Sequence, residues 1–362
     1  MRALTAILIT LTCLVTSVGS PRAQAYNWQL PPWRSPPPVP ADNPMSDSKV
    51  ELGRRLFYDI RLSGPGYMAC ATCHNQKLGF AERRTVSLGI TGEHHRRNAM
   101  ALANVGYFKA LTWADHKQRH LEIQLRRPLF GNNPVEMGSK GHEHAILTLI
   151  SSNSVYRKLF RASFPGTKGK IDFLSVGKAI AAFQRTLISA RAPYDVYKYG
   201  GQQDAISSAA KRGETLFFGA RLRCGNCHRA PLFTDADRVA RYHNTGLYNV
   251  DGKGGLPAVD QGVAEKTGRP DDIGKFRTPS LRNIAVTAPY MHDGSLATLD
   301  DVISHYQAGG NAARHARPSP LRSPLIAGFT LTREERADLV AFLQSLTDQQ
   351  FLSDPRFATP FQ

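Results

Sequence analysis

The chain has 362 residues, with 46 Lys and Arg against 29 Asp and Glu and a formal charge of +17. The basic residues are scattered rather than blocked, which argues against a nucleic-acid arm and makes an acidic surface the natural complement of any docking face. Beyond the first 25 residues no run approaches the roughly 18 apolar residues of a membrane span, so no span is expected.

Residues 1–25 read as an export signal. Arg2 precedes an apolar run from Ala3 to Val18, and Ala23-Gln24-Ala25 has the small-x-small form of a signal-peptidase site. Cys13 falls inside this discarded segment. Export places the product in the periplasm, and the loss of Arg2 and Arg22 leaves 44 basic against 29 acidic residues, a charge of +15. Residues 26–45, with PPWRSPPPVP at 31–40, form an extended proline-rich arm outside the core.

The four remaining cysteines stand as Cys70-Ala71-Thr72-Cys73-His74 and Cys224-Gly225-Asn226-Cys227-His228. C-x-x-C-H is the attachment signature of c-type haem: the two thiols reach the vinyl groups of one porphyrin, and the histidine lies under the iron. A four-cysteine zinc site or two short disulfides would not account for a histidine directly after each pair. The repeat is longer than the motif. Gly53-x-x-Leu56-Phe57-x-x-x-Arg61-Leu62 precedes the first site and Gly213-x-x-Leu216-Phe217-x-x-x-Arg221-Leu222 the second. Downstream, AIAAFQRTLIS (179–189) and DLVAFLQSLTD (338–348) read as matching helices with Phe183 and Phe342 at equivalent places, the second opened by a Thr332–Glu335 capping box. The expected fold is mostly α, a tandem of two cytochrome c-like haem domains over 46–202 and 203–362, with the boundary in YGGQQDAISS (199–208) and a C-terminal tail closing the second domain.

Near the end, TLDDVISHYQAGG (298–310) reads as a helix with Thr298 as N-cap, Asp300 and Asp301 in the first turn and Gly309 as the stop. Leu299, Val302, Ile303 and Tyr306 form one apolar stripe, which makes Tyr306 a core aromatic on these residues alone.

The two haem motifs, followed by TPSLRNIAVTAPYMHDGSLATLDDVISHY, resemble the bacterial dihaem cytochrome c peroxidase and MauG superfamily. The stretch VPADNPMSDSKVELGRRLFYDIRLSG and the later TGEHH look most like its MauG-related MbnH branch, whose enzymes oxidise a tryptophan of a copper-binding partner protein. The resemblance implies a calcium ion between the haems, held by Asn98 and by the carbonyls of Thr287 and Pro289, a donor set suited to a hard cation. It implies that Trp113, 15 residues after Asn98, is the inter-haem tryptophan. Gln124, Pro128 and Glu136 match the distal pocket of the first haem, with Glu136 as the acid/base residue. The family histidine that closes the first haem in enzymes needing reductive activation would fall at Ile90. His94 and His95 are displaced from that place and read as loop or partner contacts, so His74 is expected to face an open position. The MauG tryptophan two residues before the second motif is replaced by Leu222, so any exit route for oxidising equivalents must differ.

In the peroxidase branch a methionine ligates the second haem from the helix after the HDG turn. Here Tyr306 occupies that place, 19 residues after Thr287, with Met291 as the competing thioether. A phenolate favours oxidised iron and a low potential, where a thioether favours reduced iron. His228 and Tyr306 are therefore the expected ligands of the second haem. The implied function is a periplasmic enzyme that uses hydrogen peroxide to build a high-valent dihaem state and oxidises a side chain, a tryptophan in the MbnH-like branch, of a partner protein. Two alternatives stay open: a peroxidase fed by a small cytochrome or cupredoxin, and a dihaem electron carrier without catalysis.

Overall fold

The computed structural model describes residues 26–238, 241–257 and 260–361, and the expected export signal at 1–25 lies outside the described residues. Five helices carry the architecture: α1 (Asp47–Tyr58), α2 (Phe173–Thr186), α3 (Ser208–Phe218), α4 (Leu299–Gln307) and α5 (Arg333–Gln344). The strands among the described residues are Tyr242–His243 and Phe276–Arg277, paired antiparallel with Tyr242 opposite Arg277.

The sequence repeat is one helix crossing made twice. A Cβ on Gly53 of α1 would lie 1.9 Å from the Ala179 carbonyl oxygen of α2 and 2.9 Å from Phe183 Cβ. A Cβ on Gly213 of α3 would lie 2.0 Å from the Asp338 carbonyl oxygen of α5 and 2.8 Å from Phe342 Cβ. Glycine inside a helix costs about 1 kcal/mol relative to alanine. Here it lets two backbones touch, and a phenylalanine from the partner helix packs beside each contact. Around the first crossing Leu52, Leu56, Phe57, Ile180 and Phe183 form one core; around the second, Phe217, Ile303, Leu339, Phe342 and Leu346 form another. Each such side chain contributes roughly 1.5–3 kcal/mol by leaving water.

Both closing helices stop short of the expected ends, at Thr186 and Gln344. The residues beyond them build a buried polar joint. Asn104 and Asn283 both sit at positive φ, 64° and 61°. The Asn104 amide donates from Nδ2 to the Ser189 carbonyl at 3.0 Å and accepts from the Ser189 N–H at 3.2 Å. Asn283 donates to Ser189 Oγ at 3.1 Å and accepts from the Asp348 N–H at 2.8 Å, while Asp348 accepts from the Ala190 and Arg191 amides. Residues following each closing helix are thus gripped by equivalent asparagines from both halves.

Residues from either side of 202/203 pack into both cores. Tyr194, upstream of that point, is buried against Phe233 and Phe342 of the second core, with ring centroids 5.3 and 5.5 Å away. The C-terminal tail crosses back: Phe351 packs 5.8 Å from Phe80 in the first core, and the Phe357 carbonyl accepts from Tyr58 Oη at 2.7 Å. Phe351 and Phe357 are both members of the first core.

The proline-rich arm is not loose and turns twice, with the Arg34 N–H donating to the Pro31 carbonyl and the Asn43 N–H to the Pro40 carbonyl, each at 3.0 Å. Pro31, Pro37 and Asn43 are buried. Trp33 Nε1 donates to the Ala190 carbonyl at 2.9 Å, Tyr107 Oη donates to the Ser35 carbonyl at 2.6 Å, and Asn43 Nδ2 donates to Glu122 at 2.9 Å. Thr298 caps α4 by accepting from the Asp301 N–H, and Gly309 follows the helix at φ 76°. Among the described residues no helix is long and apolar enough to cross a membrane.

Candidate active site

Each C-x-x-C-H motif opens into its own cavity, which rules out a shared four-cysteine centre. Cys70, Cys73 and His74 border one of about 1470 Å3 of empty space counted to its mouth, and Cys224, Cys227 and His228 border another of about 1490 Å3. Both are lined mainly by apolar side chains, a setting that suits a flat apolar macrocycle. All four cysteines are unpaired, and burial pushes the thiols of Cys70 and Cys224 up to about 12 and that of Cys73 up to about 11. Such thiols are poor free nucleophiles.

The histidines are oriented alike. His74 Nδ1 lies 2.8 Å from the Phe80 carbonyl, and His228 Nδ1 lies 3.1 Å from the Phe233 carbonyl. Phe80 and Phe233 are both fully buried and both at positive φ, 62° and 52°. A carbonyl on Nδ1 fixes the tautomer that leaves Nε2 for a metal. Burial lowers both histidine pKa values and so favours the neutral, ligating form.

Gln124, Pro128 and Glu136 all border the first cavity. Burial pushes the Glu136 carboxyl up to about 7, against the opposing field of Arg127. That value suits a group that both takes and gives a proton near neutrality. His95 was expected among loop or partner contacts, but it borders this cavity with Nδ1 3.6 Å from Glu136 Oε1. The His95 N–H donates to the Ser87 carbonyl at 2.8 Å, which turns the ring inward while His94 stays exposed. Ile90 braces the loop instead: its N–H donates to the Glu136 carbonyl at 2.8 Å, and its carbonyl accepts from Tyr67 Oη at 2.6 Å.

Trp113 borders both cavities. Its Nε1 donates to the Asn98 carbonyl at 2.8 Å, and its own carbonyl accepts from the Arg277 N–H at 2.7 Å. Asn98 spends both Nδ2 protons on the carbonyls of Arg84 and Thr85, at 3.0 and 3.1 Å, which leaves Oδ1 to accept from elsewhere. The Asn98 N–H donates to the His292 carbonyl at 2.7 Å, so the asparagine meets the segment that carries Thr287 and Pro289. The Thr287 hydroxyl donates to the Ile284 carbonyl at 3.3 Å, and Pro289 follows a cis peptide bond.

The apolar stripe of α4 faces the second cavity: Leu299, Val302, Ile303 and Tyr306 all border it. The Tyr306 phenol is held above the ordinary phenol range by burial, with the Cys227 and Cys224 sulfurs adding to the effect. Met291 and Leu222 border the same cavity. So does Arg277, whose guanidinium is buried and whose Nε has no hydrogen-bond partner among the described residues. Burial pushes Arg277 down to about 10. A buried cation short of a partner fits an anionic group such as a haem propionate. His95 stands within TGEHH but reads there as a loop or partner contact, and Arg277 was missed because it lies in no motif. The nearest signal for Arg277 was its place just before TPSLRN.

The family model described as di-haem cytochrome c peroxidase matches residues 47–204. The chain is 34% identical over 354 residues to the cytochrome-c peroxidase IdrP1 of Denitromonas iodatirespirans, covering 90% of this chain and 89% of that one. It is 36% identical over 313 residues to the methylamine utilization protein MauG of Methylorubrum extorquens, covering 85% and 81%. Among solved structures it resembles a MauG-like protein associated with microbial copper homeostasis, with a TM-score of 0.89 and 46% identity over 93% of this chain and 100% of that one. Two cavities, each with its own C-x-x-C-H anchor, therefore belong to a member of the dihaem cytochrome c peroxidase and MauG family, a peroxidase-type oxidoreductase.

Proposed function

We propose that this chain is a periplasmic, peroxide-dependent oxidase of a side chain on a partner protein, with tryptophan as the target residue. The observation that carries this reading is Tyr306, a phenol on the cavity wall at the place where a thioether would serve a cytochrome-fed enzyme. When bound, the two haems supply peroxide cleavage and hold the oxidising equivalents. The first haem would be held by Cys70, Cys73 and His74, and the second by Cys224, Cys227, His228 and Tyr306. Arg277 would neutralise a propionate at the second haem. A calcium ion on Asn98 Oδ1 and the carbonyls of Thr287 and Pro289 would stiffen the ground between them.

The protein's own groups then have separate tasks. Glu136 takes the proton from one peroxide oxygen and returns it to the other, the departing one. Its value of about 7 lets both transfers run near neutrality. Gln124 orients the peroxide, and His95 stands beside Glu136, 3.6 Å away on the same cavity wall. Trp113, fixed by its bond to the Asn98 carbonyl, carries charge between the cavities. A charge of +15 on the exported chain favours an acidic face on the partner. Similarity to a MauG-like protein associated with copper homeostasis supports a copper-binding protein as that partner.

A second reading, a peroxidase that reduces peroxide with electrons from a small cytochrome, draws on the relatives named cytochrome-c peroxidase. The ligand separates the two. Tyr306→Phe should convert the second haem from a six-coordinate low-spin to an altered resting spectrum. An unchanged low-spin signal refutes the assignment.

A further inference from the structure

Leu222 stands where MauG has its exit tryptophan, and the residues around Trp113 offer another way out. Trp113 and Phe276 belong to one buried cluster, against which Tyr242 and Tyr248 pack. Phe276 stacks on His292 with centroids 3.7 Å apart and planes 15° from parallel. His292 meets Tyr248 edge to face at 6.4 Å. The Tyr248 hydroxyl donates to the Asp293 carboxylate. Tyr248 is half-buried, and Val250, two residues on, is 57% exposed. The series runs from the wall shared by both cavities to the surface.

The chemistry separates Tyr248 from its neighbours. Burial and Asp293 push its phenol up to about 12, so it keeps its proton at neutral pH and can lose an electron readily only if that proton has somewhere to go. A carboxylate in hydrogen-bond contact is such an acceptor. The Tyr242 hydroxyl is buried without a partner among the described residues, and Tyr290 donates to a backbone carbonyl, that of Ile284, at 2.9 Å. Neither has a base.

We propose that Tyr248, with Asp293 as its proton acceptor, is the redox relay through which oxidising equivalents pass from the Trp113 cluster to a docked protein, an inference that rests on the oxidase reading above. Hydrogen peroxide takes up two electrons and two protons to become two waters. For one of those electrons, the Tyr248 O–H bond breaks: the electron leaves through His292 and Phe276 toward Trp113, and the proton passes to an Asp293 carboxylate oxygen. The result is a neutral tyrosyl radical beside a carboxylic acid. An electron from the partner's side chain reduces the radical, the proton returns from Asp293 to the phenol oxygen, and the partner is left one electron poorer.

The test treats the dihaem holoenzyme, without partner, with stoichiometric peroxide and a nitroso spin trap. It follows the haem spectra, the radical by freeze-quench electron paramagnetic resonance, and the trapped site by peptide mass spectrometry. The adduct is expected on the Tyr248 peptide, falling about tenfold or more in Tyr248→Phe and holding in Tyr242→Phe. Asp293→Asn keeps an oxygen for the Ser295 N–H, which it now accepts at 3.1 Å, yet cannot take the proton. Radical formation in that variant should slow about 100-fold. A haem response to peroxide with no adduct on Tyr248, or with an adduct indifferent to Asp293→Asn, overturns the relay alone. No haem response to peroxide overturns the relay and the oxidase reading together.

Discussion

The Trp113 indole and the Asn98 backbone are joined by a 2.8 Å hydrogen bond, and that bond fixes the one aromatic ring that borders both cavities among the described residues. Trp113→Phe removes the donor and leaves a smaller ring with a higher barrier to oxidation. Peroxide should still perturb the spectrum of the His74 haem. The response of the His228 haem should lag by about 100-fold or more, a barrier change near 2.7 kcal/mol. Rapid-scan absorption after mixing with peroxide checks this, and synchronous responses would remove Trp113 from the path.

Glu136 makes a prediction with two signs. Its carboxyl lies at about 7 in the folded chain against an ordinary value of 4.5, because burial penalises the anion. In its proposed role of proton acceptor it is active when ionised, so the rate of the peroxide reaction should rise through about pH 7 and level off above it. Glu136→Gln should flatten that profile and lower the rate about 100-fold or more. The same raised value stabilises the fold fully below its ordinary 4.5, and this contribution is lost as pH rises through about 7. The glutamine variant should therefore outlast the parent in thermal melts above neutrality and match it more closely in acid.

At Gly53 the usual effect of alanine in a helix reverses. Helical propensity alone would make Gly53→Ala stabilising by about 1 kcal/mol. The added Cβ would instead sit 1.9 Å from the Ala179 carbonyl oxygen, so α1 and α2 must separate. A loss of about 3 kcal/mol or more is expected in denaturant unfolding, with Gly213→Ala behaving alike at α3 and α5.

Arg282 and Asp195 form a bidentate ion pair at 2.6 Å with both side chains fully buried. Asp195→Ala leaves the guanidinium buried and uncompensated, which should cost about 3–5 kcal/mol. Replacing both residues with apolar ones of similar volume should recover much of that. Melting curves of the single and double variants measure the difference.

The parts legible in the sequence are those written locally. The haem anchors are five-residue motifs, the repeated boxes mark a helix crossing, and the caps at Thr298 and Thr332 lie three residues from the amides they satisfy. Tyr306 was readable as one of a stripe, and the stripe does face a cavity. What escaped depends on tertiary approach. His95 turns inward through a backbone bond to Ser87, the Tyr248–Asp293 pair spans 45 residues, and Gln76 in the first half bonds the Asp354 carbonyl 278 residues away. The likeness of Asn104 and Asn283 was visible as Leu-Ala-Asn-Val against Leu-Arg-Asn-Ile. Its meaning, a shared grip on Ser189, needed the fold.

The measurement that bears most directly on the oxidase reading is stopped-flow mixing of the dihaem holoenzyme with reduced cytochrome c and hydrogen peroxide. On the proposed Tyr306 ligation, which disfavours electron entry at the second haem, cytochrome oxidation should be slow and the peroxide-oxidised state of the enzyme should persist for a partner protein. Rapid oxidation of many equivalents of cytochrome c would contradict it and identify the chain as a cytochrome-fed peroxidase.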